Sequence, residues 1–165
     1  MHKTKWLLLG MLTCVGSALA SEGDLLIDVG PQAVFRTYTG YESPMIGGTV
    51  SVLKGFNDQT DIGLSVAFDH ANGLLKGPDQ NWTTVALQSW YTAYNGDIRP
   101  QMGGSVGVTM DGEGNAMFHL AARARGLMEL STSFRLYAGG AVGGDVGDAG
   151  SSFVKAEFGA QFLLP

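Results

Sequence analysis

Between Ile27 and Phe162 apolar residues return at every second position in run after run, with turn-forming clusters between the runs. A period of two sends alternate side chains to opposite faces of an extended chain, so each run reads as a β-strand with one apolar face. In the first, Ile27, Val29, Pro31, Ala33 and Phe35 oppose Asp28, Gly30, Gln32, Arg36 and Tyr38, with Val34 an apolar exception. After a turn at Gly40–Pro44, a second strand near Met45–Phe56 sets Ile46, Gly48, Val50 and Val52 against Thr49, Ser51 and Leu53. A third sets Ile62, Leu64, Val66 and Phe68 against Gly63, Ser65, Ala67 and Asp69, and residues 71–81 form the longest loop. In the fourth, Trp82–Tyr94, the parity is ambiguous; Val85, Leu87, Tyr91 and Ala93 outward turns Thr84, Gln88 and Thr92 inward.

The fifth strand carries Met102, Val106, Val108 and Met110 against Gly103, Ser105, Gly107 and Thr109. The sixth has Phe118, Leu120, Ala122 and Ala124 against His119, Ala121, Arg123 and Arg125, although residues 116–130 also fit a helix. The seventh has Phe134, Leu136 and Ala138 against Ser133, Arg135 and Tyr137, and a Gly- and Asp-rich loop at 143–151 follows. The eighth alternates Val154, Ala156, Phe158, Ala160 and Phe162 with Lys155, Glu157, Gly159 and Gln161. The predicted fold is all-β: a closed antiparallel up-and-down barrel of about eight strands, each about 9–11 residues long. A soluble barrel hides its apolar face and a membrane barrel shows it to lipid, so the alternation alone fits both. The chain's beginning, its 25 glycines and its end decide between them.

The first twenty residues read as a secretory signal peptide. Lys3 and Lys5 form the basic region, Trp6–Val15 the apolar stretch, and Ala18-Leu19-Ala20 the cleavage site. Cys14 lies inside the apolar stretch behind Thr13, which disfavours acylation there. The domain is then residues 21–165. Losing Lys3 and Lys5 moves the net charge from −5 to −7, the wrong sign for nucleic acid. The domain has no cysteine, hence neither disulfide nor thiol nucleophile. No apolar run after residue 20 is long enough for a transmembrane helix. A membrane form must therefore be a closed barrel, because lipid satisfies no open strand edge.

Glu157-Phe158-Gly159-Ala160-Gln161-Phe162-Leu163-Leu164 resembles the C-terminal sorting signal of outer-membrane barrels. Glu157, Gly159, Phe162 and Leu164 fill its polar, glycine, sixth and eighth places, although the chain ends Leu-Leu-Pro where Phe is usual. The mature chain as a pattern resembles the small eight-stranded class: the OmpA transmembrane domain and OmpX-like or OmpW-like proteins. The resemblance implies a Gram-negative cell-envelope protein in the outer membrane, in contact with its lipids and lipopolysaccharide. It also implies delivery by periplasmic chaperones and the barrel assembly machinery, and a monomer.

A barrel of eight strands is only wide enough for its own side chains. Arg36, Asp69, His119, Arg123, Arg125, Arg135, Lys155 and Glu157 are thus expected as a polar network plugging the lumen, with Glu157 against Arg123 or Arg135. Trp82, Trp90, Tyr91, Tyr94, Tyr38, Tyr41 and Tyr137 fall near strand ends, where lipid–water girdles sit. Catalysis would need an acid–base–nucleophile set. Asp69 beside His70 invites that reading, as in lipid A-modifying barrels, but Asn72 stands where a serine is needed. Asp111, Glu113 and Asn115 imitate a calcium loop that Ala116 and Ala122 break. Gly139–Gly144 lacks the Lys-Ser/Thr of a phosphate loop. No cofactor or metal is expected. The functional expectation is a non-enzymatic barrel of structural or surface-ligand-binding type. The alternatives are a narrow channel for small or apolar solutes, a secreted lipocalin-like barrel, and a lipid A-modifying enzyme using His70.

Overall fold

The computed structural model describes residues 23–38, 41–57, 59–71, 80–93, 98–147 and 150–164. Eight strands follow one another: β1 (Leu25–Tyr38), β2 (Tyr41–Asn57), β3 (Thr60–Ala71), β4 (Gln80–Thr92), β5 (Ile98–Met110), β6 (Ala116–Ser131), β7 (Phe134–Val146) and β8 (Ser151–Leu164). Each pairs antiparallel with its chain neighbours, and β8 returns to β1 in register from Leu25↔Leu164 to Tyr38↔Ser151, closing the barrel. Closure leaves no unpaired strand edge.

The strands run 12 to 17 residues, longer than the 9–11 expected. Thirteen residues rise about 43 Å, or about 30 Å along a barrel axis at the usual 45° tilt. That matches the hydrocarbon core of a bilayer, with the longer strands projecting beyond it.

Burial alternates with the predicted parity. Ile46, Phe68, Phe118, Val142 and Phe158 are more than half exposed, whereas Asp28, Asp145, Glu157 and Gln161 are at most 3% exposed. The barrel is inside out relative to a soluble one: apolar without, charged within.

Residues 116–130 form the expected sixth strand and not the helix they also fit, because pairing with β5 and β7 runs along both edges of β6 and puts His119, Arg123 and Arg125 on one inward face. One local expectation is corrected. The loop expected from 143 begins only after Val146. Gly139 and Gly143 face inward, where an added Cβ would stand 2.3 Å from the carbonyl oxygens of Ala124 and Leu120. These glycines mark close strand-to-strand approach, not a turn.

The girdle assignment also changes. Trp82 and Trp90 are each 1% exposed and Tyr137 is 4% exposed; all three point into the lumen, while Tyr91 faces out. Trp82 packs with Val34, Met45, Met117 and Phe153, and Trp90 with Leu26 and Leu53. These two apolar clusters lie towards opposite ends of the bore. Tyr94 lies outside the described residues, as do the side chains of Tyr38 and Tyr41. Tyr137 lies across Gly30 and Gly159, where a Cβ would come within 2.7 and 2.6 Å of its hydroxyl. Those two glycines let a large ring lie flat against the β1–β8 seam.

Candidate functional site: the polar lumen

Inward-facing positions of all eight strands project into one bore, so groups far apart in sequence meet there. Arg36, Arg123, Arg125 and Lys155 supply four cations; Asp28, Asp69, Asp145 and Glu157 supply four anions. The balance is what burial demands, since an unpaired charge removed from water costs several kcal/mol.

At the level nearest the 111–115 loop, Asp145 is the hub. It forms an ion pair with Arg36 and accepts hydrogen bonds from Thr109 at 2.8 Å and Ser151 at 3.1 Å. His119 Nδ1 lies 2.9 Å from its Oδ1, and the imidazole stacks on Phe153 with centroids 5.3 Å apart. His119 Nε2 lies 3.2 Å from Ser105 Oγ. With Nδ1 protonated, the ring donates to Asp145 and accepts from Ser105, the connectivity of a Ser-His-Asp set. Its setting argues against that chemistry. Ser105 and His119 are 6% and 4% exposed, so a substrate has little access. The carboxylate is also shared among Arg36, Thr109 and Ser151, which makes the group a clamp joining β1, β5, β6, β7 and β8.

Mid-bore, Arg123 meets both oxygens of Glu157 through Nη2, at 2.8 and 2.7 Å, and donates to Gln88 through Nη1. Lys155 donates to Gln32 at 3.2 Å, and Gln32 donates on to Asp69 at 2.5 Å. Below them Arg125 meets Asp28 at 2.5 Å and Gln101 at 2.7 Å, while Gln161 donates to Asp28 at 2.8 Å. The guanidinium carbons of Arg123 and Arg125 lie 4.8 and 4.2 Å from the Trp90 ring, and that of Arg36 lies 4.2 Å from Trp82. The lumen tryptophans thus serve as cation–π platforms for its arginines. Side chains occupy the bore at every level: Leu53, Thr109 and Gln161 have no exposed surface.

The sequence-expected residues divide clearly. Arg36, Asp69, His119, Arg123, Arg125, Lys155 and Glu157 all take part in this interior network. Glu157 pairs with Arg123, not Arg135. Arg135 lies near the mouth, where it donates to Gln161 at 3.1 Å and stands 3.7 Å from Glu129. Sequence reading missed two anions. Asp28 lies on the polar face of the first strand with no partner evident in the sequence, and Asp145 falls within the Gly- and Asp-rich stretch expected as loop. Gln32, Gln88, Gln101 and Gln161 were missed as connectors, although their parity with the charged positions was the available signal.

Asp69 and His70 do not form a pair. Neighbours on a strand face opposite ways: Asp69 is buried against Gln32, whereas His70 is exposed outside, its Nδ1 2.8 Å from Asn81 Oδ1. Asn72 lies outside the described residues. Asp111 accepts from the backbone N–H groups of Glu113 and Asn115 and from the Asn115 amide, so its carboxylate caps its own turn. The terminal motif lies in β8. Glu157 and Gly159 face inward, and Phe162 and Leu164 face outward. Phe162 packs on Phe134 with centroids 5.3 Å apart.

No family model matches the chain, and no curated protein matches it by sequence. Solved structures do match it. Neisserial surface protein A (NspA) superposes with a TM-score of 0.74 over 86% of this chain and 99% of its own, at 11% identity. The fold is that of a small outer-membrane β-barrel. Ail, the attachment invasion locus protein of Yersinia pestis, gives a TM-score of 0.53 over 86% of this chain and 100% of its own, at 16% identity. The N-terminal β-barrel domain of Pseudomonas aeruginosa OprF gives 0.52 over 87% and 100%, at 12% identity. Such identities carry the fold and no residue roles.

Proposed function

We propose that this chain is a bacterial outer-membrane barrel that serves as a plugged, membrane-anchored surface scaffold, not as a conduit. The observation that carries the reading is the inversion of polarity. Large apolar side chains such as Ile46 at 75% and Phe158 at 62% stand exposed, while three ion-paired arginines and Lys155, hydrogen-bonded to Gln32, fill the interior. Water is a poor solvent for that exterior and lipid a good one. A secreted lipocalin-like barrel would need the reverse.

On this reading residues 1–20 are removed on export, and outer-membrane lipid and lipopolysaccharide surround a monomer. Glu157, Gly159, Phe162 and Leu164 present β8 to periplasmic chaperones and the assembly machinery. The end with both strand termini and the short turns at 57–60 and 131–134 faces the periplasm, as short turns do in such barrels. The opposite loops face outward and are where surface contacts would be made. Ail is known in complex with a heparin analogue, but the net charge here, −5 for the whole chain and −7 once Lys3 and Lys5 are lost with residues 1–20, disfavours a polyanion.

The test is conductance together with gel mobility. Purified, refolded protein should migrate differently before and after boiling, because a closed hydrogen-bonded barrel survives mild detergent. It should also give no steady channel steps in planar bilayers. Reproducible steps that disappear in an Arg123 or Glu157 variant would favour the narrow-channel reading instead.

A further inference from the structure

Buried apolar side chains cross the bore at two levels. The cluster nearer the 111–115 loop contains Val34, Met45, Ala71, Trp82, Met117 and Phe153, and with Ala141 its members come from seven of the eight strands among the described residues. The remaining strand, β5, supplies Thr109, paired in register with Met117 and without exposed surface. An eight-stranded barrel is only wide enough for its own side chains, so a layer drawn from all round the wall spans it. The second cluster, towards the end that carries both strand termini, joins Leu26, Leu53 and Trp90, with Leu163 packed against them. Leu26 and Leu163 line the open mouth at that end, while Leu53 and Trp90, packed on Leu26, are out of its lining.

The two levels repeat one construction. Leu26 and Val34 on β1, Leu53 and Met45 on β2, and Trp90 and Trp82 on β4 all stand eight residues apart. An even spacing keeps both members on the inward face. Eight residues rise about 27 Å along a strand, or about 19 Å along the axis at about 45° tilt. Each level also holds an arginine packed on two rings. Arg36 lies 4.2 Å from the Trp82 ring and 5.1 Å from that of Phe153. Arg125 lies 4.2 Å from the Trp90 ring and 5.0 Å from that of Tyr137. Each is paired with an aspartate, Arg36 with Asp145 and Arg125 with Asp28, so its charge is met within the layer. Between the levels lie the Arg123–Glu157 pair and the chain from Lys155 through Gln32 to Asp69. Water entering an apolar constriction gives up hydrogen bonds it cannot replace there, which closes a pore by dewetting.

We propose that the bore is closed by two apolar layers in series, each sufficient alone to hold back water, ions and protons, with the Arg123–Glu157 network kept dry between them. Trp82 is the central member of one layer and Trp90 of the other. The inference rests on the plugged-bore reading and deepens it, by naming what closes the bore and making the two closures independent.

The experiment is proton flux into lipid vesicles holding the refolded barrel, read by an entrapped pH-sensitive dye, with planar-bilayer conductance measured on the same preparations. The variants are Trp82→Ala, Trp90→Ala and the two together, each shown to be folded by its change of gel mobility on boiling. Each single variant should leave flux at the level of the unmodified protein, and the double should raise it at least about tenfold. Met45→Ser with Leu53→Ser, singly and combined, wets one member of each layer and should repeat the pattern if the tryptophan double fails to fold. A folded single variant that leaks as much as its double, or folded doubles as tight as the unmodified protein, overturns the two-layer inference and leaves the plugged bore standing. Flux through the unmodified protein would overturn both.

Discussion

Replacing Glu157 with Gln tests how dry the lumen is. Glu157 and Arg123 are 3% and 8% exposed, and the carboxylate takes two hydrogen bonds from one guanidinium nitrogen. Gln keeps the volume and one acceptor but removes the charge. Among the described residues Arg123 then has no free anion beside it, since Asp28 is held by Arg125 and Gln161, and Asp69 by Gln32. Breaking one side of a buried pair costs about 3–5 kcal/mol, against at most about 1 kcal/mol for a solvated pair. The acceptor that Gln retains puts the expectation at the lower end, about 3 kcal/mol. With a urea dependence of about 1–3 kcal/mol per molar, the midpoint should fall by about 1–3 M. The assay is urea unfolding in lipid vesicles followed by tryptophan emission, to which Trp90 beneath Arg123 contributes. Adding Arg123→Met should recover most of the loss, because the uncompensated charge disappears with its partner. A loss below about 0.5 kcal/mol for Glu157→Gln, or no recovery in the double variant, would refute the account of a filled, low-dielectric bore.

Gly159→Ala should destabilise by about 1–3 kcal/mol through overpacking, since its Cβ would stand 2.3 Å from the Val29 carbonyl oxygen and 2.6 Å from the Tyr137 hydroxyl; adding Tyr137→Leu should return part of that in the same urea assay. Phe162→Asp places a charge on the exposed outer face of β8 and removes the contact with Phe134. It should leave the chain in the periplasm, as cell fractionation would show; normal outer-membrane levels would remove the sorting role.

The faces of the strands could be read from sequence because a period of two is local: Ile62 to Phe68 alternate whatever lies beside them. Which residues meet across the bore could not, because that depends on register and closure. Arg36 reaches Asp145 across 109 positions of sequence and Gln161 reaches Asp28 across 133, and no local pattern encodes those distances. The tryptophans misled for a related reason. Trp82 and Trp90 share the parity of Thr84 and Gln88, and composition drew them towards the lipid girdle. Their rings are lumen residues because Arg36, Arg123 and Arg125 stack on them. Asp145 was hidden by its glycine-rich surroundings, which resemble a loop until Gly139 and Gly143 are seen against the backbone of β6.

The central claim is that the apolar face of these strands meets lipid and the charged face is enclosed. Single cysteines decide it, placed in a domain that has none after residue 20. Leu64→Cys and Val66→Cys lie on the outer face of β3, Ser65→Cys lies inside, and Asn115→Cys sits on an exposed turn. In lipid vesicles, fluorophores attached at 64 and 66 during unfolding should be quenched by a lipid-borne quencher once the barrel is refolded. Unlabelled cysteines at 64, 65 and 66 should resist water-soluble maleimide, and position 115 should react at once. Shielding of positions 64 and 66 from both reagents, with the charged face reacting from water, would contradict the membrane barrel and require the opposite polarity.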